Sequence, residues 1–140
     1  MIIIDTNVVS ELMRASPDPT VLEWFAGHAT DALFLSAISE AELRTGAAIL
    51  PAGQRRDRLV VAIDAMIDQD FAGRILPFDS PAARSYAEIA VARRTAGKPI
   101  MDADCQIAAI ARACRATIAT RNVKDFESCG IDIINTWNDA

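Results

Sequence analysis

Short apolar runs alternate with longer stretches of helical periodicity along this chain. Ile2–Ile4 is a β-branched apolar run, the mark of a buried strand. It leads into Asp5-Thr6-Asn7 and a predicted short helix over Val8–Met13. Ser16-Pro17-Asp18-Pro19 is a turn, and Pro19 suits the first turn of a second helix reaching about His28. Leu33–Leu35 reads as the second strand. Ser36–Leu50 reads as a helix closed by Pro51-Ala52-Gly53. Gln54 to about Phe71 is predicted as one helix, with Leu59, Ile63, Met66 and Ile67 at helical spacing. Arg74–Leu76 is a short strand, followed by a helix from Pro81 to about Ala96 that Gly97 ends. Asp102–Cys114 is a helix, Thr117–Ala119 a strand, Asn122–Phe126 a tight turn and Ile131–Ile134 the last strand. Strands that alternate with helices predict an α/β sandwich around a mostly parallel sheet.

At 140 residues the chain is long enough for one domain, residues 1–140, and too short for two independent cores. A hydrophobic fraction of 51% with 24% charged residues excludes a disordered or disulfide-dense chain. The net charge of −5 argues against gripping nucleic acid by bulk electrostatics, though it allows a local basic rim and a basic partner. Cys105, Cys114 and Cys129 form no CxxC pair, and His28 is the one histidine. Zinc and a Ser-His-Asp triad are therefore disfavoured. Reduced thiols, packed as small apolar residues, fit a cytoplasmic chain. The N-terminus has no basic segment or cleavage site of a signal peptide, and no apolar run approaches a membrane span.

Ligands in open parallel sheets bind at the carboxyl ends of the strands, which directs attention to the polar residues there. Asp5 ends the first strand, where it serves equally as a helix cap. Glu42 follows the second strand. Ser39-Glu40-Ala41-Glu42 fits a capping box, but Ile38, Glu42, Thr45 and Ile49 share a helical stripe that would turn Glu42 inward. Glu40, two residues back, reads as solvated. Asp104 lies in the first turn of its helix on a stripe with Ile107, Ala108 and Ala111, whereas Asp102 reads as the cap or a dipole partner. Asn122 and Asp125 follow the fourth strand in a turn that would suit either residue without further function. Two carboxylates about 4 Å apart repel by roughly 4 kcal/mol at an effective dielectric of 20, so such a cluster needs protons or a cation. Oxygen ligands select Mg²⁺ or Mn²⁺. The chemistry that follows is metal-assisted phosphodiester hydrolysis, in which the ion orients and acidifies a water and neutralises charge growing on phosphate.

Four segments together resemble the PIN-domain ribonucleases, specifically the VapC-type toxins. They are Ile3-Ile4-Asp5-Thr6-Asn7 through Leu12; Ser36 through Glu42-Leu43; Lys98-Pro99-Ile100 through Asp104 and Ala111; and Ala119-Thr120-Arg121-Asn122 through Phe126, with Asn135-Thr136-Trp137. The resemblance implies a three-layer sandwich that binds Mg²⁺ or Mn²⁺ in an acidic pocket and cuts RNA. It makes Asp5, Glu42 and Asp104 the acidic core and Thr6 a hydroxyl beside it. The fourth acidic position departs from the family, with Asn122 standing where many members carry an acid and Asp125 three residues on. The resemblance further implies a homodimer and a VapB-type antitoxin whose tail covers the pocket.

Arg14, Arg44, Arg121 and Lys124 lie in or near these segments and are candidates for RNA phosphate contacts, against the alternative of ordinary surface charge. Arg55-Arg56-Asp57-Arg58 and Arg93-Arg94 read as solvated helix faces. His28 reads as a helix-end residue, and Trp24, Phe25 and Trp137 as core or dimer contacts. Two rival functions stay open. One is an aspartate-based phosphotransfer domain, disfavoured because position 7 is Asn7 rather than a second acid. The other is a non-catalytic binding module of the same fold.

Overall fold

The computed structural model describes residues 1–138. Its five strands form one parallel sheet in the order β3-β2-β1-β4-β5. They are β1 (Ile2–Ile4), β2 (Leu33–Ser36), β3 (Ile75–Leu76), β4 (Thr117–Ala119) and β5 (Ile133–Ile134). The helices are α1 (Thr6–Leu12), α2 (Pro19–Ala26), α3 (Ala37–Ala48), α4 (Gln54–Ala65), α5 (Ser80–Thr95) and α6 (Asp102–Cys114).

Successive strand side chains point to opposite faces, and β1 uses both. Ile3 packs into a core with Ile89 of α5 and Ile107 and Ile110 of α6. Ile4 packs into a second core with Val8 of α1, Val21 and Trp24 of α2, Leu43 of α3 and Ile63 of α4. The sheet is thus the middle of three layers, and its continuous apolar strands are those of a sheet buried on both faces.

Several boundaries differ from the sequence reading. The long predicted helix after Gln54 stops being α-helical at Ala65 and continues as a π turn over Met66–Asp70. A single π turn leaves the apolar spacing of Met66, Ile67 and Phe71 nearly intact, so periodicity did not betray it. The last strand shortens to Ile133–Ile134, and the turn after β4 is a 3₁₀ segment, Val123–Phe126.

The cap of α3 is Ser36, whose hydroxyl accepts from Ser39 N at 3.0 Å, so the capping box that Ser39 would begin does not form. Of the two readings of Asp102, the cap falls to Met101 and the first-turn position holds: Asp102 is the first residue of α6 and accepts from Tyr86 Oη at 3.0 Å. Cys114 is exposed while Cys105 and Cys129 are buried, so the packed-thiol expectation fails for Cys114. His28 does sit at the end of α2, with Nδ1 2.6 Å from Trp24 O. Among the described residues, no helix is long and apolar enough to cross a membrane.

Candidate active site

The parallel order brings the carboxyl ends of β1, β2 and β4 side by side, and their first polar residues meet there. Asp5 extends the ladder by one bond, its N donating to Ala119 O at 2.9 Å. Its side chain does two jobs. Oδ1 caps α1 by accepting from Thr6 N at 2.8 Å, while Oδ2 accepts from Thr120 Oγ1 at 2.7 Å and Asn7 Nδ2 at 3.2 Å. The carboxylate is buried, at 5% exposure. Burial pushes its pKa up, the bonds from Thr120 and Thr6 pull it back, and the charges of Glu42 and Asp125 add a further rise.

Thr6 joins Asp5 to the second acid. Its Oγ1 lies 2.7 Å from Glu42 Oε1 and 2.8 Å from Ser39 Oγ. A carboxylate only accepts, so the single Thr6 proton serves Glu42. Glu42 itself is exposed, which corrects the inward orientation expected from its stripe. Helix α3 instead buries Ser39, Leu43 and Ala47. Two of these three are small, which lets α3 approach α1 closely and leaves the wider stripe of Ile38, Glu42, Thr45 and Ile49 at the rim. Glu42 stands between two open depressions. One, of about 560 Å³, is lined by Ile100, Met101, Asp102 and Asp104; the other, of about 460 Å³, by Ile38, Thr45, Ile49 and Gln106. Glu40, expected to be solvated, is tied to Arg44 at 2.8 Å.

Asp104 comes from the first turn of α6 and is half-buried. Burial is the main reason its pKa rises to about 6; the charges of Asp5, Asp125 and Glu42 push the same way, and Arg93 opposes them. Four carboxylates from four segments therefore share one electrostatic environment, Asp5, Glu42, Asp104 and Asp125. Asn122 and Asp125 are both exposed at the ends of the turn after β4. Asn122 N donates to Thr120 Oγ1 at 3.0 Å, which ties that turn to the hydroxyl holding Asp5.

Among the described residues no three Asp, Glu, Cys or His side chains close into a ready metal cage. The donor set still suits a hard divalent ion. All the donors are oxygens, Asp5 is a buried carboxylate with a raised pKa, and Mg²⁺ characteristically takes one or two carboxylates and keeps its remaining waters.

The four basic candidates separate into two pairs. Arg14 Nη1 bonds both oxygens of buried Glu11 at 3.1 Å, and Glu11 also accepts from Asp18 N. Arg44 bridges Glu40 and Asp64, both at 2.8 Å, joining α3 to α4. Those two are engaged in holding helices. Arg121, directly after Thr120, lies 4.9 Å over the Trp137 ring, and its N is held by Asn7 Oδ1 at 3.2 Å. Lys124 is exposed in the same turn as Asp125.

Residues 2–129 match the PIN domain. The chain belongs to the PIN-domain family. It is 47% identical to VapC ribonuclease Y4jK of Sinorhizobium fredii over 140 residues, covering the whole of both chains. It is 42% identical to toxin FitB of Neisseria gonorrhoeae, covering 99% of this chain and 100% of that one. Its fold superposes on the crystal structure of FitAcB from Neisseria gonorrhoeae with a TM-score of 0.92 at 41% identity, covering 99% of both chains.

Three contributors to this PIN domain's site escaped the sequence reading. Asn7 and Thr120 hold Asp5, and both sit within three residues of a strand end, which is a usable signal. The third is Arg93, expected on a solvated face and found buried at 7% exposure. Its signal was positional: it shares the buried α5 stripe with Ala82 and Ile89.

Proposed function

We propose that this PIN domain is a metal-dependent endoribonuclease toxin, cutting RNA phosphodiester bonds with Mg²⁺ or Mn²⁺ held by Asp5, Glu42 and Asp104, and restrained by a VapB-type antitoxin. The observation that carries the reading is the shared electrostatic environment of those carboxylates, set after β1, in α3 and in the first turn of α6, with Asp5 buried and Asp104 raised to about 6. Its relatives named VapC ribonuclease and toxin FitB support the activity and the toxin role. An ion bound there would supply Lewis acidity at the phosphate and a more acidic water.

The chain's own residues prepare that chemistry. Thr120, Asn7 and Thr6 fix both oxygens of Asp5, so the carboxylate needs no reorganisation when a cation arrives. Glu42 is held by one oxygen to Thr6 and faces the open depressions, which leaves its other oxygen for a cation or a water. Arg121, over the Trp137 ring beside the site, offers a planar donor to an incoming phosphate and positions RNA without reading its sequence. Asn122 has an amide oxygen available at the fourth acidic position.

The antitoxin reading rests on the acidic pocket of a chain with net charge −5, which suits a basic side chain in the partner's tail. The homodimer reading is supported by Ile49 and Met101, 77% and 78% exposed, which border the two depressions flanking Glu42.

The deciding experiment is cleavage of end-labelled RNA by the partner-free chain, with Mg²⁺ or Mn²⁺ and with chelator. Cutting is expected with metal and is expected to vanish with chelator, returning when metal is restored. Cutting that persists in chelator would remove the metal from the mechanism. Bound Mn²⁺ with no cutting of a broad RNA panel would favour the non-catalytic module. A second expectation concerns Thr6. Thr6→Val deletes a hydrogen bond to a charged group, worth about 1.5–3 kcal/mol, so cutting should fall roughly 10- to 100-fold. An unchanged rate in that assay would place Glu42 outside the chemistry.

A further inference from the structure

We infer that Arg93 is a positioning residue of the acid cluster: its buried guanidinium staples the turn carrying Asp125 to the segment entering α6, and so sets Asp125 as the fourth carboxylate beside Asp5 and Asp104. This rests on the metal-dependent reading above.

Burying a cation costs several kcal/mol unless it is well compensated. Arg93 forms none of the ion pairs among the described residues. It spends its donors on backbone carbonyls instead. Nε donates to Lys98 O at 2.7 Å, and Nη1 donates to Asp125 O at 2.9 Å and Glu127 O at 3.0 Å. Lys98 N returns a bond to Arg93 O at 2.9 Å. One side chain thus clamps two arms of the site. Lys98 leads through Pro99 into α6 and Asp104, while Asp125 and Glu127 flank Phe126 on the turn after β4.

The carbonyl acceptors are neutral, so they do not balance the charge. Among the acids of the site, Asp104 is the one whose carboxyl the Arg93 charge lowers, and that effect is smaller than the burial that raises it. A planar fork is needed to serve carbonyls on two separate segments, and a lysine ammonium reaches them as a point charge only.

Arg93→Lys isolates the geometry, because it keeps the charge and removes the fork. The test is Mn²⁺ affinity, read by loss of the free-ion electron paramagnetic resonance signal, for the full chain, Arg93→Lys, Asp125→Asn and the double variant. Each single change is expected to weaken Mn²⁺ binding about 10-fold, the lower end for residues that orient ligands. The double variant is expected to be no weaker than the worse single one, since both act through the same carboxylate. RNA cutting should follow the same non-additive pattern.

Effects that multiply would make Arg93 an independent structural staple and overturn the inference. So would a folded Arg93→Lys that binds Mn²⁺ like the parent. Should Arg93→Lys fail to fold, Asp125→Asn decides alone: its residue is exposed, and unchanged Mn²⁺ affinity removes Asp125 from the cluster. A parent chain that binds Mn²⁺ but cuts no RNA would defeat the nuclease reading and leave the Arg93–Asp125 coupling measurable.

Discussion

Asp104→Asn is expected to lower RNA cutting by at least about 10²–10³-fold, the scale set by removing one preorganised electrostatic group from an active site. The same substitution is expected to make the metal-free protein more stable. Asp104 is raised to about 6 from an ordinary 3.8 by burial and by Asp5, Asp125 and Glu42. Its ionised form is therefore unfavourable in the folded chain, and an amide of the same shape removes that penalty. A carboxylate in the first turn of a helix also gains about 0.3–1 kcal/mol from the dipole. The net upward shift says that burial and repulsion outweigh it. Solvent reaches the half-buried group and trims the gain, so a rise of about 2–5 °C in Tm at pH 7–8 in chelator is the expected size.

The pH dependence follows from the same shift. A carboxylate with a folded pKa above its unfolded value binds protons preferentially in the folded state. As pH falls from about 7 toward 4, Asp104 takes up its proton in the folded chain and the penalty disappears. Its contribution to stability is thus largest below the unfolded value and is lost as pH rises through about 6. The Tm advantage of Asp104→Asn in chelator should shrink across that window. Adding Mn²⁺ at pH 7.5 should reverse the order, stabilising the parent chain and leaving Asp104→Asn nearly unmoved. Equal Tm values for the two chains in chelator at both ends of the window would mean the acid cluster is not electrostatically strained.

The fold was legible because its strands are short, apolar and each followed by a polar turn, as at Ile4-Asp5 and Ala119-Thr120. Asp5 and Asp104 were legible for a related reason: a carboxylate set directly against a buried run is conspicuous. Both readings of Asp5 hold at once, since the oxygen that caps α1 leaves the other for Thr120. Glu42 was placed in the right helix but on the wrong side. The stripe through Ile38 and Ile49 is the more hydrophobic, yet α3 buries the smaller one through Ser39 and Ala47, because close approach to α1 matters more there than apolar area. The cap of α3 fell to Ser36 over Ser39, a choice between two serines three residues apart that local pattern does not decide. Arg93 was hidden by the default that arginine is solvated. Its place on the stripe of Ala82 and Ile89 was visible, but the carbonyls that receive it come from residues 98, 125 and 127, and only the folded chain assembles them.

The turn after β4 carries the second large effect. Phe126 reads as the end of a polar turn, but it is fully buried in the core formed by Ile3, Ile89, Ile107 and Ile118. Phe126→Ala is expected to cost about 3–5 kcal/mol through lost burial and the cavity left behind. A domain of ordinary stability holds about 5–15 kcal/mol, so a large share of the total rides on one ring. For a chain of this size the loss corresponds to a Tm lower by about 10–20 °C, measured in chelator by thermal denaturation. The ring lies next to Asp125 in the chain and between the two carbonyls that Arg93 clamps, so it anchors the acidic turn from below while Arg93 holds its backbone. Phe126→Leu keeps most of the apolar volume and should retain most of the stability. If Phe126→Ala instead melts within about 3 °C of the parent, the turn packs independently of the core and the ring does not anchor it.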